Sequence, residues 1–142
     1  MIPIPHTLVT NQPFREQPAV GKLNLTLPEK PYQWHIWDCF ALANWLRSQT
    51  NLYPLPCLNW LYRHYTEDTL PHTIVSQVLR HYAARRTDGL NQMDLVCLRF
   101  GGNPEGLGTV VDGGVVFMSF ERGAVWMPLA DVQSRIGSVW VY

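Results

Sequence analysis

The stretch WDCFALANWLRSQ, from Trp37 to Gln49, marks the start of the folded domain. Its apolar side chains recur at helical spacing, and Asp38 is a residue type whose carboxylate caps helix N-termini. The pattern therefore predicts a helix from Cys39 to about Gln49. The following segment Asn51–Pro56, NLYPLP, ends this helix because proline cannot continue it.

Two further helical segments follow before the character of the chain changes. Leu58–Tyr65 is an aromatic-rich helical turn, and a longer helix is predicted from about Pro71 to Ala84, with Thr66 or Asp68 as its cap. A polar loop is expected after this helix, from residue 85 to residue 91. The first half of the domain is thus predicted to be helical.

The last third of the chain has the composition of β-structure. Short β-branched or aromatic runs predict five strands, which are Met93–Phe100, Leu107–Asp112, Val115–Phe120, Ala124–Met127 and Ser138–Tyr142. Between the second and third of these, Asp112–Gly113–Gly114 is a strong hairpin signal. Helices followed by an antiparallel meander predict an α+β domain over residues 32–142, with the helices packed on a strongly curved sheet.

Residues 1–31 form a proline-rich segment that contains six of the eleven prolines. Proline fixes φ and lacks an N–H donor, so this composition predicts an extended arm. The alternating run Lys22–Leu27, KLNLTL, is compatible with one edge strand. An ordered arm needs a surface to lie on, either its own domain or a neighbouring subunit, and we favour the neighbour.

The overall composition narrows the range of functions. The 142 residues carry 11 basic and 11 acidic side chains, so the net charge is zero and does not attract nucleic acid or anionic membranes. No uninterrupted apolar run of about 18 residues predicts a membrane span, and the N-terminus does not resemble a secretory signal. Three cysteines without repeated spacing argue against a disulfide framework or a zinc ribbon. The glycine-rich residues 101–108 lack a phosphate-loop pattern, so no cofactor or metal is expected.

Cys39 is the candidate site residue because it follows a helix-capping Asp38 at the start of an apolar helix. A helix N-terminus carries roughly half a positive charge, which favours thiolate over thiol. We therefore expect a lowered pKa and a nucleophilic sulfur. The alternative is that Cys39 is a small hydrophobic residue in the first buried turn.

The order of these motifs resembles the NlpC-type cell-wall peptidases, a papain-like cysteine hydrolase superfamily, and in particular the tail-assembly and tail-tip branch of long-tailed bacteriophages. The family's helix opens with an Asp-Cys pair, here Asp38–Cys39. A Gly-Asp-Leu-Val strand follows, here Met93–Asp94–Leu95–Val96, and then a His-Val-Gly-Ile strand, here Gly106–Leu107–Gly108–Thr109. The similarity covers about residues 32–142 and implies a papain-like NlpC-type fold with Cys39 as the nucleophile.

The resemblance also shows what this chain lacks. The family's histidine, which is the general base, corresponds to Gly106, and the third, orienting residue falls near Met118 or Ser119. No histidine follows His81 in the sequence. Among the five histidines, only His35 has an obvious local route to the Cys39 sulfur, so His35 is the weaker, alternative base.

Two carboxylates, Glu105 and Asp112, are further alternatives to the missing base, although carboxylates near glycine-rich turns are mostly solvated. Loss of the base removes about 100- to 10,000-fold of catalysis. The resemblance therefore implies a degenerate peptidase that serves as a structural component of a phage tail tip or baseplate. Such a protein is made in the host cytoplasm, belongs to the virion and docks on other tail proteins.

Two other functions remain open from the sequence. The first is an active cysteine peptidase or amidase that cleaves peptidoglycan during phage entry, with Cys39 as nucleophile and a non-standard base. The second is an unrelated bacterial binding protein whose pattern is coincidental.

Overall fold

A computed structural model describes residues 20–142 of the chain. Its helices are α1 (Cys39–Gln49), α2 (Asn59–His64), α3 (Ile74–Tyr82) and α4 (Leu129–Val132), with 3-10 turns at Glu67–Thr69 and Gln133–Arg135. Its strands are β1 (Ala84–Arg86), β2 (Leu95–Leu98), β3 (Gly106–Val111), β4 (Gly114–Ser119), β5 (Gly123–Pro128) and β6 (Ile136–Val141). The predicted α+β class is confirmed.

All six strands form one open antiparallel sheet in the order β1-β6-β2-β3-β4-β5. The β3–β4 hairpin closes through the two-residue turn that the sequence predicted. Asp112 and Gly113 both have positive φ, 50° and 77°, as a type I′ turn requires. Glycine adopts this conformation without strain, so the second position of the turn suits Gly113.

Alternate residues of β2 bury opposite faces of the sheet. Leu95 and Cys97 pack against the helices, whereas Val96 and Leu98 belong to a separate apolar cluster on the other face, with Val132 of α4. Helix α1 begins beside the start of β3 and also packs along the far end of the same strand. This packing brings the N-terminus of α1 against the sheet, where the candidate site lies.

The proline-rich arm is described from residue 20 onward, and this part lies on its own domain. Its leucines, Leu23, Leu25 and Leu27, pack against an apolar cluster that includes Leu46 and Val116. Residues 20–31 therefore have an apolar surface on their own domain, and contact of the arm with a neighbouring subunit stays a prediction. Residues 1–19 lie outside the described part of the chain.

The edge strand predicted for Lys22–Leu27 is not formed. The backbone N–H groups of Leu23 and Asn24 donate instead to the Asp112 side chain, at 2.9 and 3.0 Å. A strand ladder needs these donors for a neighbouring strand, and Asn24 has a positive φ of 50°, so the segment does not pair in the sheet.

Several predicted boundaries move once tertiary contacts are present. The third helix begins at Ile74, not Pro71, and the predicted cap Thr66 instead pairs with Thr69 in a separate 3-10 turn. The predicted polar loop after this helix contains strand β1, which pairs with β6. Arg86 of β1 forms an ion pair with the fully buried Asp94, with Nε and Oδ2 2.6 Å apart. Pairing with the distant strand β6 thus makes a strand of polar residues that the sequence pattern predicted to be a loop.

Candidate functional site

Asp38 organises the turn that leads into helix α1. Its carboxylate accepts hydrogen bonds from the backbone N–H of Ala41 and of His35, both at 3.0 Å, and from the Tyr62 hydroxyl at 2.6 Å. Asp38 is only 1% exposed. The N-cap predicted from the sequence is confirmed, and the same side chain also holds the preceding turn, where His35 has a φ of 72°.

Cys39 lies at the first turn of α1 and lines a cavity of about 240 Å³. The cavity is bounded by the chain before α1, the start of α3 and the strands β3 and β4, and aromatic residues form much of its wall. The backbone N–H of Leu107 in β3 acts to lower the pKa of Cys39, and Gly106 of the same strand lines the cavity. The structure therefore places the Cys39 thiol directly against the beginning of β3.

The expected activation of the thiol is not found. Burial and then the negative charge of Asp38 raise the pKa of Cys39 to about 12. Backbone hydrogen bonds from Leu107, Cys39 and Phe40 act in the opposite direction but do not outweigh these effects. The prediction of a lowered pKa was wrong because it counted the helix N-terminus and left out the burial of the thiol and, after it, the charge of the carboxylate beside it.

Gly106 lines the same cavity as Cys39, and the space beside it holds the ring of Phe100. A Cβ atom added to Gly106 would lie 2.7 Å from Cε2 of Phe100, which is too close without movement of the ring. Met118, the position near which the orienting residue was expected, also lines the cavity. Neighbouring Ser119 instead accepts a hydrogen bond from the Arg122 N–H at 3.3 Å.

No histidine of residues 20–142 lines the Cys39 cavity. The His35 ring stacks on Tyr62, with ring centroids 4.0 Å apart, and it borders a separate cavity that contains Cys57. Trp34 contacts Tyr62 with its centroid 5.0 Å away. The alternative base His35 is therefore occupied in an aromatic stack, and Trp34, not His35, lines the cavity of the sulfur.

Glu105 lines the cavity but is engaged in holding helix α3. Its Oε1 accepts hydrogen bonds from the backbone N–H of Ser76 at 3.1 Å and from the Ser76 hydroxyl at 2.8 Å. Its own backbone N–H donates to the His72 carbonyl. The carboxylate thus caps the first turn of α3, whose N-cap residue Thr73 makes no side-chain cap.

Asp112 lies at the opposite end of β3 and does not line the Cys39 cavity. It accepts hydrogen bonds from Leu23, Asn24 and the Gln92 amide. Although burial opposes ionisation, these hydrogen bonds lower the pKa of Asp112. Its role is to hold the arm, and it is not brought near the thiol.

Sequence reasoning missed three groups that shape the site. These are the Phe100 ring beside Gly106, the Tyr62 hydroxyl that donates to Asp38, and the Tyr32 hydroxyl that donates to Glu67 at 2.8 Å. In the two hydrogen bonds the partners lie 24 and 35 positions apart, whereas Phe100 is close to Gly106 in sequence but its ring direction depends on packing. The only available signal was the high aromatic content, which does not say which rings meet.

The described residues contain no group of three or more side chains suited to hold a metal ion. None of the helices found between residues 20 and 142 combines the length and apolar character needed to cross a membrane.

Comparisons with known proteins do not assign the chain to a family. No protein-family model matches it, and no curated protein sequence matches it.

Proposed function

We propose that this chain is a non-hydrolytic NlpC-type domain that serves as a structural component of a bacteriophage tail tip or baseplate and docks on neighbouring tail proteins. One observation carries the proposal. Cys39 and Gly106 line one cavity, where the Phe100 ring fills the space beside the glycine, and no histidine of residues 20–142 lines that cavity. Such a cavity has the nucleophile position of a cysteine peptidase without its base.

The chemistry of the cavity argues against peptide hydrolysis. A cysteine attacks as its thiolate, and a pKa of about 12 for Cys39 leaves almost none at neutral pH. Without an imidazole, no general acid protonates the leaving amine. Glu105, the nearest carboxylate considered as a substitute, already accepts two hydrogen bonds from Ser76.

The papain-like relationship is supported by backbone geometry as well as by motif order. Met93 stands where the family's Gly-Asp-Leu-Val motif has glycine, and its φ is 68°. Glycine reaches this left-handed region at no steric cost, whereas other residues seldom adopt it. The chain thus retains a glycine-like backbone at a position that the resemblance aligns with glycine.

The proposed docking role is supported by exposed apolar side chains. Ile36, Tyr53 and Phe120 are each more than 60% exposed, and Trp126 is 44% exposed. Aromatic and large aliphatic side chains of this kind are enriched where proteins bind one another. The zero net charge of the chain is compatible with a protein partner and does not favour nucleic acid.

A specific observation favours the alternative of an active peptidoglycan hydrolase. Cys39 lies at a helix N-terminus and lines a cavity, and the backbone N–H groups of Leu107, Cys39 and Phe40 act to lower its pKa. Purified protein incubated with peptidoglycan separates the two functions. We expect equal, background release of fragments by the wild type and by Cys39→Ala. Release that depends on Cys39 would establish the hydrolase and refute the non-hydrolytic role.

The structural role requires a separate experiment. If the chain is a tail component, quantitative mass spectrometry of purified particles should detect it at a fixed ratio to other tail proteins. Absence from the particles would contradict the proposal. A gene neighbourhood without tail-assembly genes would favour the third possibility, an unrelated bacterial binding protein.

A further inference from the structure

The opening of the Cys39 cavity is an aromatic surface with one exposed carboxylate. We define this mouth as Tyr32, Trp34, Phe120 and Glu67, all of which line the cavity. The Tyr32 ring meets Phe120 edge-on, with centroids 4.7 Å apart, and its hydroxyl donates to Glu67 Oε1 at 2.8 Å. The mouth therefore joins the segment before α1, the 3-10 turn after α2 and the end of β4.

The charged residues that line the cavity are all acidic. They are Asp38, Glu67 and Glu105, and no lysine, arginine or histidine of residues 20–142 joins them. Asp38 and Glu105 are held by backbone donors at the N-termini of α1 and α3, where the helix dipole compensates a negative charge. Glu67 has no such compensation within the described residues, and its Oε2 accepts no hydrogen bond from them.

We propose that the mouth binds an arginine side chain presented by a partner protein. The proposal rests on the docking function and names the chemistry of the partner. Aromatic faces attract a cation through the ring quadrupole, and a carboxylate pairs with the planar guanidinium. Arginine suits the site better than lysine because it stacks on rings while it donates to a carboxylate. The Tyr32 hydroxyl leaves Glu67 Oε2 available for this contact.

The test is a titration of the isotopically labelled protein with two capped tripeptides, glycyl-arginyl-glycine and its citrulline analogue, followed by NMR. Citrulline preserves the shape of arginine but not its charge. We expect the arginine peptide to shift the Gly106 N–H and the Trp34 indole signals saturably, with binding about tenfold tighter than the citrulline peptide.

Two variants locate the binding within the mouth. Glu67→Gln and Phe120→Ala should each weaken arginine binding, the former by about tenfold. Both positions are exposed, so neither substitution disturbs the core. Asp131→Asn is the matched control, because it removes an exposed carboxylate of α4 that does not line the cavity. Its affinity should equal that of the wild type.

The proposal is overturned if the arginine peptide does not bind, if both peptides bind equally, or if Glu67→Gln retains wild-type affinity. Shifts confined to residues outside the mouth would overturn it as well. Failure of the docking function itself has a different signature. Hydrolysis of peptidoglycan or absence from particles would refute that function while these titrations could still succeed.

Discussion

Asp38 and Asp112 perform similar local tasks at opposite ends of strand β3. Asp38 lies beside the start of the strand and accepts hydrogen bonds from two backbone N–H groups and the Tyr62 hydroxyl. Asp112 follows the last residue of the strand, and its carboxylate accepts hydrogen bonds from two backbone N–H groups and from the Gln92 amide. Each carboxylate thus holds an irregular segment of chain against the regular structure.

The two carboxylates differ in burial, and they therefore differ in which pKa is shifted. Burial of the thiol raises the pKa of Cys39, and the charge of the adjacent Asp38, which is 1% exposed, raises it further. Asp112 is partly exposed, and the hydrogen bonds that it accepts lower its own pKa. Two carboxylates with the same number of donors therefore lie beside a suppressed thiol at one end of β3 and hold the arm at the other.

Replacement of Asp38 should have the largest effect on stability. Asp38→Ala removes the helix cap and leaves the part-buried donors of His35 and Tyr62 without this acceptor, so we expect a loss of about 3 kcal/mol of unfolding free energy in urea denaturation. Tyr62→Phe removes only one of the hydrogen bonds and should cost about 1 kcal/mol. If Asp38→Ala lost less than the roughly 1 kcal/mol expected for Tyr62→Phe, the buried carboxylate would not organise this turn.

The Cys39 thiol should react slowly with iodoacetamide. Because its pKa is about 12, we expect alkylation at pH 8 on the order of 100-fold slower than for an ordinary exposed thiol, after allowance for the higher nucleophilicity of a more basic thiolate. Peptide mass spectrometry can follow Cys39 and the exposed Cys57 in the same sample. Equal rates at the two cysteines would contradict the suppression of the thiol by burial and Asp38.

Loss of the Asp112 side chain should release the arm with a smaller cost. Asp112→Ala removes three acceptor contacts at a partly exposed site, so we expect a loss of about 1.5 kcal/mol and faster hydrogen exchange at Leu23 and Asn24. Exchange in helix α1 should remain unchanged. If the arm amides stay protected in this variant, the apolar contacts of the arm, not Asp112, hold it.

The smallest of these expected effects is that of acid, which should weaken the contact between the arm and Asp112 in the wild type. Since the folded pKa of Asp112 lies below its unfolded value, the stabilisation is complete above about pH 3.9 and is lost as pH falls through the folded pKa. Exchange at Leu23 and Asn24, corrected for intrinsic rates, should therefore rise at low pH. Asp112→Asn serves as the control and should show no such dependence.

Local features of the chain predicted the fold better than they predicted the site. The helix after Asp38 and the turn at Asp112–Gly113 depend on neighbouring residues, and both are confirmed. The arm contacts were missed because 89 positions along the chain separate Leu23 from Asp112. The Phe100 ring beside Gly106 was missed because nothing in residues 100–106 indicates which way the ring turns.

The sequence by itself determined the α+β order of elements, the start of α1 and the absence of a histidine after His81. These are properties of composition, periodicity and capping, which act over a few residues. Only the tertiary structure decided that β6 lies between β1 and β2, that the thiol of Cys39 is suppressed, and that residues 20–31 lie on their own domain. Strand order, burial and electrostatic surroundings depend on residues that are distant in sequence, so local sequence patterns do not predict them.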